Sequence, residues 1–164
     1  MKHRLQHLLV AAALLTFTQL EAADPKTGSP LPKLPSLLPG ATLPDTAGKV
    51  VLVDFWASWC EPCRASFPAL QRLHQKYAAR GLVVVGIGVD EEADAYQAFA
   101  KRQRVGFALV HDAAQKAVAH FNPATMPTSY LVDRKGRIRH IHRGFQSGET
   151  EAEYVREIEA LLAE

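Results

Sequence analysis

The sequence has few cysteines: only two occur among its 164 residues, and both lie in the segment Trp59-Cys60-Glu61-Pro62-Cys63. A structural disulfide stabilises a fold by closing a long loop of the unfolded chain, and a bond across this spacing would close almost none. A structural zinc site needs four ligands, and no second Cys or His pair stands at a suitable spacing. The scarcity and the spacing argue against a disulfide-stapled or zinc-bound scaffold and favour a redox-active pair.

The sequence also lacks an excess of charge of either sign. It has 19 Lys and Arg against 17 Asp and Glu, which is a formal net charge of +2. This balance argues against nucleic acid or another polyanion as a partner. Hydrophobic residues make up 48% of the chain and charged residues 22%, a composition typical of one globular domain with a buried core.

A hydrophobic run of transmembrane length is missing as well. Residues 8–20 are mostly apolar, but thirteen residues of helix reach only about 20 Å, short of the ~30 Å hydrocarbon core. This stretch follows the basic segment Met1-Lys2-His3-Arg4 and precedes Ala22 and Ala23, a pattern that predicts a signal peptide over residues 1–23. We expect export to a periplasm, with an uncleaved membrane anchor as the alternative. No cysteine stands near the cleavage position, which excludes a lipid anchor there.

Residues 24–48 form a proline-rich segment ahead of the domain. Proline lacks the amide hydrogen that a helix interior requires, so we expect no helix here but a semi-rigid tether or an extended flap. Four leucines suggest that part of the segment lies against the domain: Leu31, Leu34, Leu37 and Leu38.

Residues 49–164 carry alternating strand and helix patterns. Apolar runs predict strands buried on both faces, and apolar residues at helical spacing predict helices packed by one stripe. Strands are predicted over residues 50–56, 82–89, 107–110, 128–132 and 137–142, and helices over about 60–80, 91–103, 113–121 and 149–163. The alternation predicts a parallel sheet, to which the late hairpin adds antiparallel strands. The fold class is therefore α/β, with a mixed central β-sheet flanked by helices.

Cys60 falls where a buried strand gives way to a helix. Unpaired N–H groups and the positive end of the helix dipole favour an anion there, and the thiolate is the reactive form of cysteine. Cys63 follows one helical turn later, so its sulfur can meet that of Cys60. Pro62 suits the first turn, where no N–H is needed, whereas the negative charge of Glu61 tempers the thiolate preference. We predict Cys60 as the attacking thiol and Cys63 as the resolving one.

Asp54 stands inside the apolar strand that leads to Cys60. A buried charge costs several kcal/mol unless it is paired or useful. We interpret Asp54 as a buried acid of raised pKa that takes the proton from Cys63 during resolution. The alternative is an aspartate at a strand end that caps the following turn.

Five parts of the chain form a distinctive combination: VLVDFWASWCEPCR at 51–64, Pro68, VVVGI at 83–87, MPTS at 126–129 and LVDRKGRI at 131–138. With these motifs the chain resembles the TlpA/ResA-like exported thioredoxins of the thioredoxin superfamily. The likeness spans about residues 49–162.

The resemblance implies a thioredoxin fold, a cis-proline at Pro127 and a redox-active disulfide between Cys60 and Cys63 in place of a cofactor. It also implies a thiol:disulfide oxidoreductase that reduces oxidised client proteins or peptides outside the cytoplasm. Electrons would come from a membrane thiol-reductant donor of the DsbD/CcdA type. We expect a monomer that binds neither nucleic acid nor a metal ion.

Three residues are expected to contact clients. A cis Met126–Pro127 loop facing the cysteines would let the Met126 backbone pair with an extended client segment, in the manner of strand addition. The alternative is that Pro127 merely opens a strand at a sheet edge. Trp59 is expected to cover the end of the active-site helix and to contact clients, whereas Trp56 is expected in the core.

Two positions depart from the ResA-like pattern. Many ResA-like proteins carry Glu where this chain has Ser66, and they often carry Asn where it has Asp54. Asp54 instead matches the buried aspartate of cytoplasmic thioredoxins. The acid/base role is therefore assigned to Asp54.

A copper metallochaperone is the alternative from a different functional class. Soft thiolates suit Cu(I), and His140 and His142 share one strand face, so that a histidine could complete such a site. The related copper carriers, however, usually separate their cysteines by three residues, whereas two stand between Cys60 and Cys63.

Overall fold

A computed structural model describes residues 25–164. The predicted signal peptide, residues 1–23, lies outside the described residues. In chain order the elements are α1 (Leu34–Leu37), β1 (Val50–Trp56), α2 (Glu61–Tyr77), β2 (Leu82–Gly88), α3 (Ala93–Gln103), β3 (Ala108–His111), α4 (Lys116–Phe121), β4 (Thr128–Val132), β5 (Ile138–Arg143) and α5 (Glu149–Ala163). None of the helices described is both long and apolar enough to cross a membrane.

The strands form one mixed sheet in the order β3-β2-β1-β4-β5. β1 pairs with β2 and β2 with β3 in parallel, whereas β4 is antiparallel to both β1 and β5. This arrangement confirms the predicted mixed central sheet flanked by helices. β1 lies in the middle, and all seven of its residues are buried.

The alternation of side chains along β1 separates two helical layers. On one face the Trp56 ring packs 5.3 Å from Phe67 of α2 and 4.9 Å from Phe99 of α3, measured between ring centroids. On the other face Phe55 packs 4.8 Å from Phe121 of α4. α5 shares the first face with α2 and α3, and α1 lies beside α4 on the second. The core is therefore two apolar layers on either side of β1.

The sheet topology brings two loops to the same edge. β1 ends at Trp56, and residues 57–60 lead directly into α2. Antiparallel β4 starts at this edge, because Thr128 pairs with Phe55. The loop that precedes Thr128 therefore lies beside the start of α2, although the two are far apart in sequence.

One predicted boundary shifts for a visible reason. α4 begins at Lys116 rather than near residue 113. The Asp112 carboxylate accepts the backbone N–H groups of Lys116 at 3.0 Å and of Val118 at 2.8 Å, so it satisfies donors that the first turn leaves unpaired. Residues 113–115 form the turn that brings Asp112 into this position.

The expectation of no helix in the proline-rich segment is wrong at residues 34–37. They form one helical turn, with Pro35 in the first turn, where the missing N–H costs nothing. Leu34 and Leu38 are buried in the core, which confirms that the segment lies against the domain. Upstream, the Leu31 N–H donates to the Gly136 carbonyl at 2.8 Å and so attaches the segment to the β4–β5 turn.

Gly88 of β2 lies directly against the aromatic side chains of Trp56 and Tyr96. A Cβ at this position would lie 2.6 Å from Cδ2 of Tyr96 and 2.8 Å from Cζ2 of Trp56. We expect Gly88→Ala to lower the free energy of unfolding by about 1–3 kcal/mol through overpacking. Gly106→Ala is the matched control, because its Cβ would meet only side-chain atoms of His74 and Gln71, at 3.3 Å or more. Urea denaturation of both variants checks this, and equal stabilities would contradict the packing.

Candidate active site

Cys60 and Cys63 form a disulfide, with an S–S distance of 2.02 Å. Cys60 is the N-cap of α2, with extended backbone at φ −86° and ψ 109°, and Cys63 lies in the first turn. The Cys63 N–H donates to Sγ of Cys60 at 3.2 Å. The structure thus confirms that the two sulfurs meet where α2 begins.

The surroundings of the two sulfurs differ. Cys60 is 5% exposed and Cys63 is 0% exposed, so Cys60 is the residue of the pair that solvent reaches. In the reduced protein, the Cys60 sulfur would lie beside the unpaired N–H groups of the first turn, where a thiolate is favoured. Pro62 in this turn needs no hydrogen-bond partner, and Glu61 is exposed to solvent.

Asp90 holds the turn that presents Cys60. It follows β2 and is 2% exposed, and its carboxylate accepts the Ser58 N–H at 3.1 Å and the Ser58 hydroxyl at 2.6 Å. The Cys60 N–H closes the turn onto the Ala57 carbonyl at 3.1 Å. Sequence reasoning misses Asp90, for which the one signal is an aspartate directly after a buried strand.

Among residues 25–164, Trp59 is the one large hydrophobic residue that is exposed to solvent, at 69% exposure. It borders a shallow surface groove together with Ser58, Asp90 and Glu91. Trp56 is fully buried, as predicted. The aromatic surface next to the disulfide is therefore that of Trp59.

The peptide bond between Met126 and Pro127 is cis, as the resemblance implies. Pro127 is buried and Met126 half-buried, at the sheet edge where α2 begins. The Pro127 carbonyl accepts the Gly144 N–H at 2.8 Å, which ties this loop to the end of β5. Among residues 25–164, no hydrogen bond engages the Met126 backbone, so that its polar groups are available to another chain.

Asp54 is completely buried in the middle of the sheet. Its Oδ1 accepts the Ser129 hydroxyl at 3.0 Å, whereas Oδ2 has no hydrogen-bond partner within the described part of the chain. Burial raises the pKa of Asp54 from 3.8 to about 7, and the hydrogen bond from Ser129 opposes the rise. The alternative role as a turn cap is not seen, because Asp90 holds the turn that follows β1.

The Ser129 hydroxyl also shares a hydrogen bond with the Tyr154 hydroxyl of α5. Burial and the negative charge of Asp54 raise the pKa of Tyr154 above its usual value, so Tyr154 remains a neutral phenol. The His142 ring packs against the Tyr154 ring, with centroids 4.7 Å apart. Sequence reasoning predicts the helix over residues 149–163 but assigns no role to its Tyr154, and it overlooks the role of Ser129, a hydroxyl within an apolar strand.

The histidines lie in other contacts. His142 Nε2 is 2.7 Å from Glu157, and His140 Nδ1 is 3.2 Å from the same carboxylate. His111 Nε2 is 2.7 Å from the Asp90 carbonyl. No group of three or more His, Cys, Asp or Glu side chains that could hold a metal ion is found within residues 25–164. The oxidoreductase relatives described below do not favour the copper metallochaperone.

Comparisons with known proteins agree with this geometry. A profile of the AhpC/TSA family matches residues 40–141. Thiol-disulfide oxidoreductase ResA of Bacillus thuringiensis subsp. konkukian (strain 97-27) is 30% identical over 116 residues, 71% of this chain and 67% of that protein. Thioredoxin-like protein YneN of Bacillus subtilis (strain 168) is 37% identical over 108 residues, 63% of this chain and 62% of that protein.

A solved structure gives the same result for the fold. The crystal structure of a candidate thiol:disulfide interchange protein DsbE from Chlorobium tepidum matches with a TM-score of 0.74 and 30% sequence identity. The match covers 84% of this chain and 99% of that chain.

The raised pKa of Asp54 predicts a pH dependence of stability. Because the folded protein keeps a proton that the unfolded chain loses between about pH 4 and pH 7, stability falls as the pH rises through this window. Between pH 5 and pH 8, we expect the oxidised wild type to lose about 2–3 kcal/mol more than Asp54→Asn. Urea denaturation at the two pH values measures this difference, and parallel pH profiles would show that Asp54 titrates normally.

Proposed function

Since the chain belongs to the AhpC/TSA family and is a thiol–disulfide oxidoreductase with a thioredoxin fold, we propose that it reduces disulfides of client proteins outside the cytoplasm. The observation that carries the proposal is the Cys60–Cys63 disulfide at the start of α2, where a thiolate is stabilised and one sulfur is more exposed than the other. These are the requirements of a nucleophile with an internal resolving partner.

The reductive cycle has two steps. The Cys60 thiolate attacks one sulfur of a client disulfide, forms a mixed disulfide and releases the other client sulfur as a thiolate. The Cys63 thiolate then attacks the Cys60 sulfur, which releases the second client sulfur and leaves the Cys60–Cys63 disulfide. Two electrons pass from the dithiol to the client, and a membrane thiol-reductant donor of the DsbD/CcdA type restores the dithiol.

Asp54 is the group proposed to accept the proton of Cys63 before the second step. A carboxyl with a pKa of about 7 can accept and return a proton near neutral pH. Its Oδ2 has no competing hydrogen bond within residues 25–164. Asp54 and Cys63 are both fully buried, so that neither is directly exposed to bulk solvent.

Client binding is assigned to the two features next to the disulfide. Trp59 offers an exposed aromatic face, and the Met126 backbone at the cis loop is available to pair with an extended client segment. Pro127 fixes that loop against the end of β5. Main-chain pairing would accept many client sequences, because it reads the backbone rather than particular side chains.

The reducing direction rests on the residues between the cysteines. The two residues between the cysteines are Glu61 and Pro62. Neither is a histidine, the residue with which a strong oxidant stabilises its thiolate. We expect a potential close to that of thioredoxin, about −270 mV, rather than the roughly −120 mV of a strong periplasmic oxidant. Location outside the cytoplasm rests on the predicted signal peptide over residues 1–23.

Replacing each cysteine tests the order of attack. Cys63→Ala should accumulate mixed disulfides between Cys60 and insulin, because attack proceeds and resolution is blocked. Cys60→Ala should accumulate none and should lose insulin reduction. Non-reducing electrophoresis followed by mass spectrometry identifies the adducts. Full insulin reduction by both variants would refute the assignment.

Trp59→Ala tests the proposed client surface. We expect kcat/KM for insulin to fall about tenfold, the typical cost of removing a tryptophan from a binding contact. The rate with a small aromatic disulfide should change little, because the thiols themselves are unaltered. An equal loss with both substrates would mean that Trp59 acts on the disulfide and not on client binding.

A further inference from the structure

Three buried side chains from three elements form one hydrogen-bonded chain on the sheet face that α2 covers. They are Asp54 of β1, Ser129 of β4 and Tyr154 of α5. All three are 0% exposed. Asp54 and Ser129 are direct partners in the β1–β4 register, so their side chains point to the same face of the sheet.

The donors in this chain can be assigned by counting hydrogens. Asp54 accepts the Ser129 hydroxyl, and a serine has a single hydroxyl hydrogen. The hydrogen shared between Ser129 and Tyr154 must therefore come from the Tyr154 phenol whenever Asp54 is ionised. The raised pKa of Tyr154 agrees, since it keeps that phenol protonated. The chain runs from Tyr154 through Ser129 to Asp54.

The hydrogen-bonded chain leaves the two carboxylate oxygens of Asp54 in different environments. Oδ1 is held by Ser129, whose hydroxyl is itself polarised by Tyr154. Oδ2 accepts no hydrogen bond from residues 25–164. The carboxylate is thus fixed in orientation through one oxygen, and the other remains the better site for an incoming proton.

We propose that Ser129 and Tyr154 are positioning residues for the resolution step, in which they hold the Asp54 carboxylate so that its second oxygen takes the proton of Cys63. This inference rests on the proposed acid/base role of Asp54 and extends it to two residues on other elements. Within the described residues neither Ser129 nor Tyr154 forms a hydrogen bond with a cysteine, so that both would act through Asp54.

Few titratable groups lie around the hydrogen-bonded chain of Asp54, Ser129 and Tyr154. From α2, the titratable group is Cys63 once the disulfide is reduced. α5 contributes Glu153 and Glu157 beyond Tyr154, and β5 contributes His142, whose ring nitrogens are close to both carboxylates. β2 contributes none, because Gly86 lies opposite Asp54. Ser129 is thus the one hydrogen-bond donor to Asp54 among the described residues.

The expected effect of removing the Ser129 hydroxyl follows from its hydrogen bond to Asp54. Without the Ser129 donor, the ionised carboxylate loses its hydrogen bond in a buried site, and the pKa of Asp54 rises further. More of the protein then carries a protonated Asp54 at neutral pH, which cannot accept the Cys63 proton. Resolution becomes slower at pH 7, and its pH midpoint moves upward.

The test follows the two steps separately by stopped flow, using the full-length reduced protein and an aromatic disulfide that releases one chromophore in each step. For Ser129→Ala, we expect the pH midpoint of the second release to rise by about one unit, which slows this release about fivefold at pH 7. Tyr154→Phe should move the midpoint in the same direction by less. The first release should stay as in the wild type.

Tyr77→Phe is the matched control. Like Tyr154→Phe, it removes a buried tyrosine hydroxyl that ties α5 to a neighbouring element, but the Tyr77 hydroxyl binds Glu159 at 2.7 Å and not Ser129. We expect its pH midpoint to be unchanged. A shift as large as that of Tyr154→Phe would overturn the inference, because any loosening of the α2–α5 contact would then suffice.

Asp54→Asn separates this inference from the proposed function. If Asp54→Asn leaves the second release unchanged, the acid/base role itself is refuted. If it slows the second release while Ser129→Ala and Tyr154→Phe keep the wild-type midpoint, only the positioning inference fails. Ser129→Ala should add nothing in the Asp54→Asn background, since both act on one group. If Ser129→Ala slows the second release as much in the Asp54→Asn background as in the wild type, its effect does not pass through Asp54. That result would overturn the inference, and it would also reveal a Ser129→Ala effect caused by partial misfolding.

Discussion

Burial of β1 is the constraint on which the rest of the structure depends. All seven residues of this strand are buried, and its backbone is paired to β2 on one side and to β4 on the other. A strand held on four sides cannot slip by one residue without turning Asp54 away from Ser129 and Trp56 away from its aromatic neighbours. Its end at Trp56 therefore sets where α2 starts, and with it the position of Cys60.

The site combines two opposite electrostatic environments within one short segment. At Cys60, the start of a helix favours a negative charge, so that the thiolate is stabilised. At Asp54, removal from water disfavours a negative charge, and the carboxyl keeps its proton to a higher pH. The two cysteines differ in access as well, because Cys60 is slightly exposed and Cys63 is fully buried. Nucleophile, resolving thiol and proton acceptor are thereby distinguished by their surroundings.

The periodicity of apolar residues was sufficient to predict the strands and the main helices. Each of these elements is long enough for its pattern of buried side chains to appear in the local sequence. Residues 50–56 and 149–163 are found with the predicted bounds. The single turn at residues 34–37 escaped prediction, since four residues around a proline show no helical period and this turn depends on burying Leu34 and Leu38 against the domain. The pairing of Cys60 and Cys63 was predictable because only two residues stand between them, which places them one helical turn apart.

The sequence alone determined the fold class, the reacting cysteines and the presence of an unusual aspartate in a buried strand, because each of these is a local property of the chain. Only the tertiary structure decided which groups surround that aspartate. Ser129 stands 75 residues from Asp54, and Tyr154 follows 25 residues after Ser129, so that no spacing rule relates them. Their contact results from the β1–β4 register and from the packing of α5, and the same is true of Asp90, which reaches Ser58 from the end of a neighbouring strand.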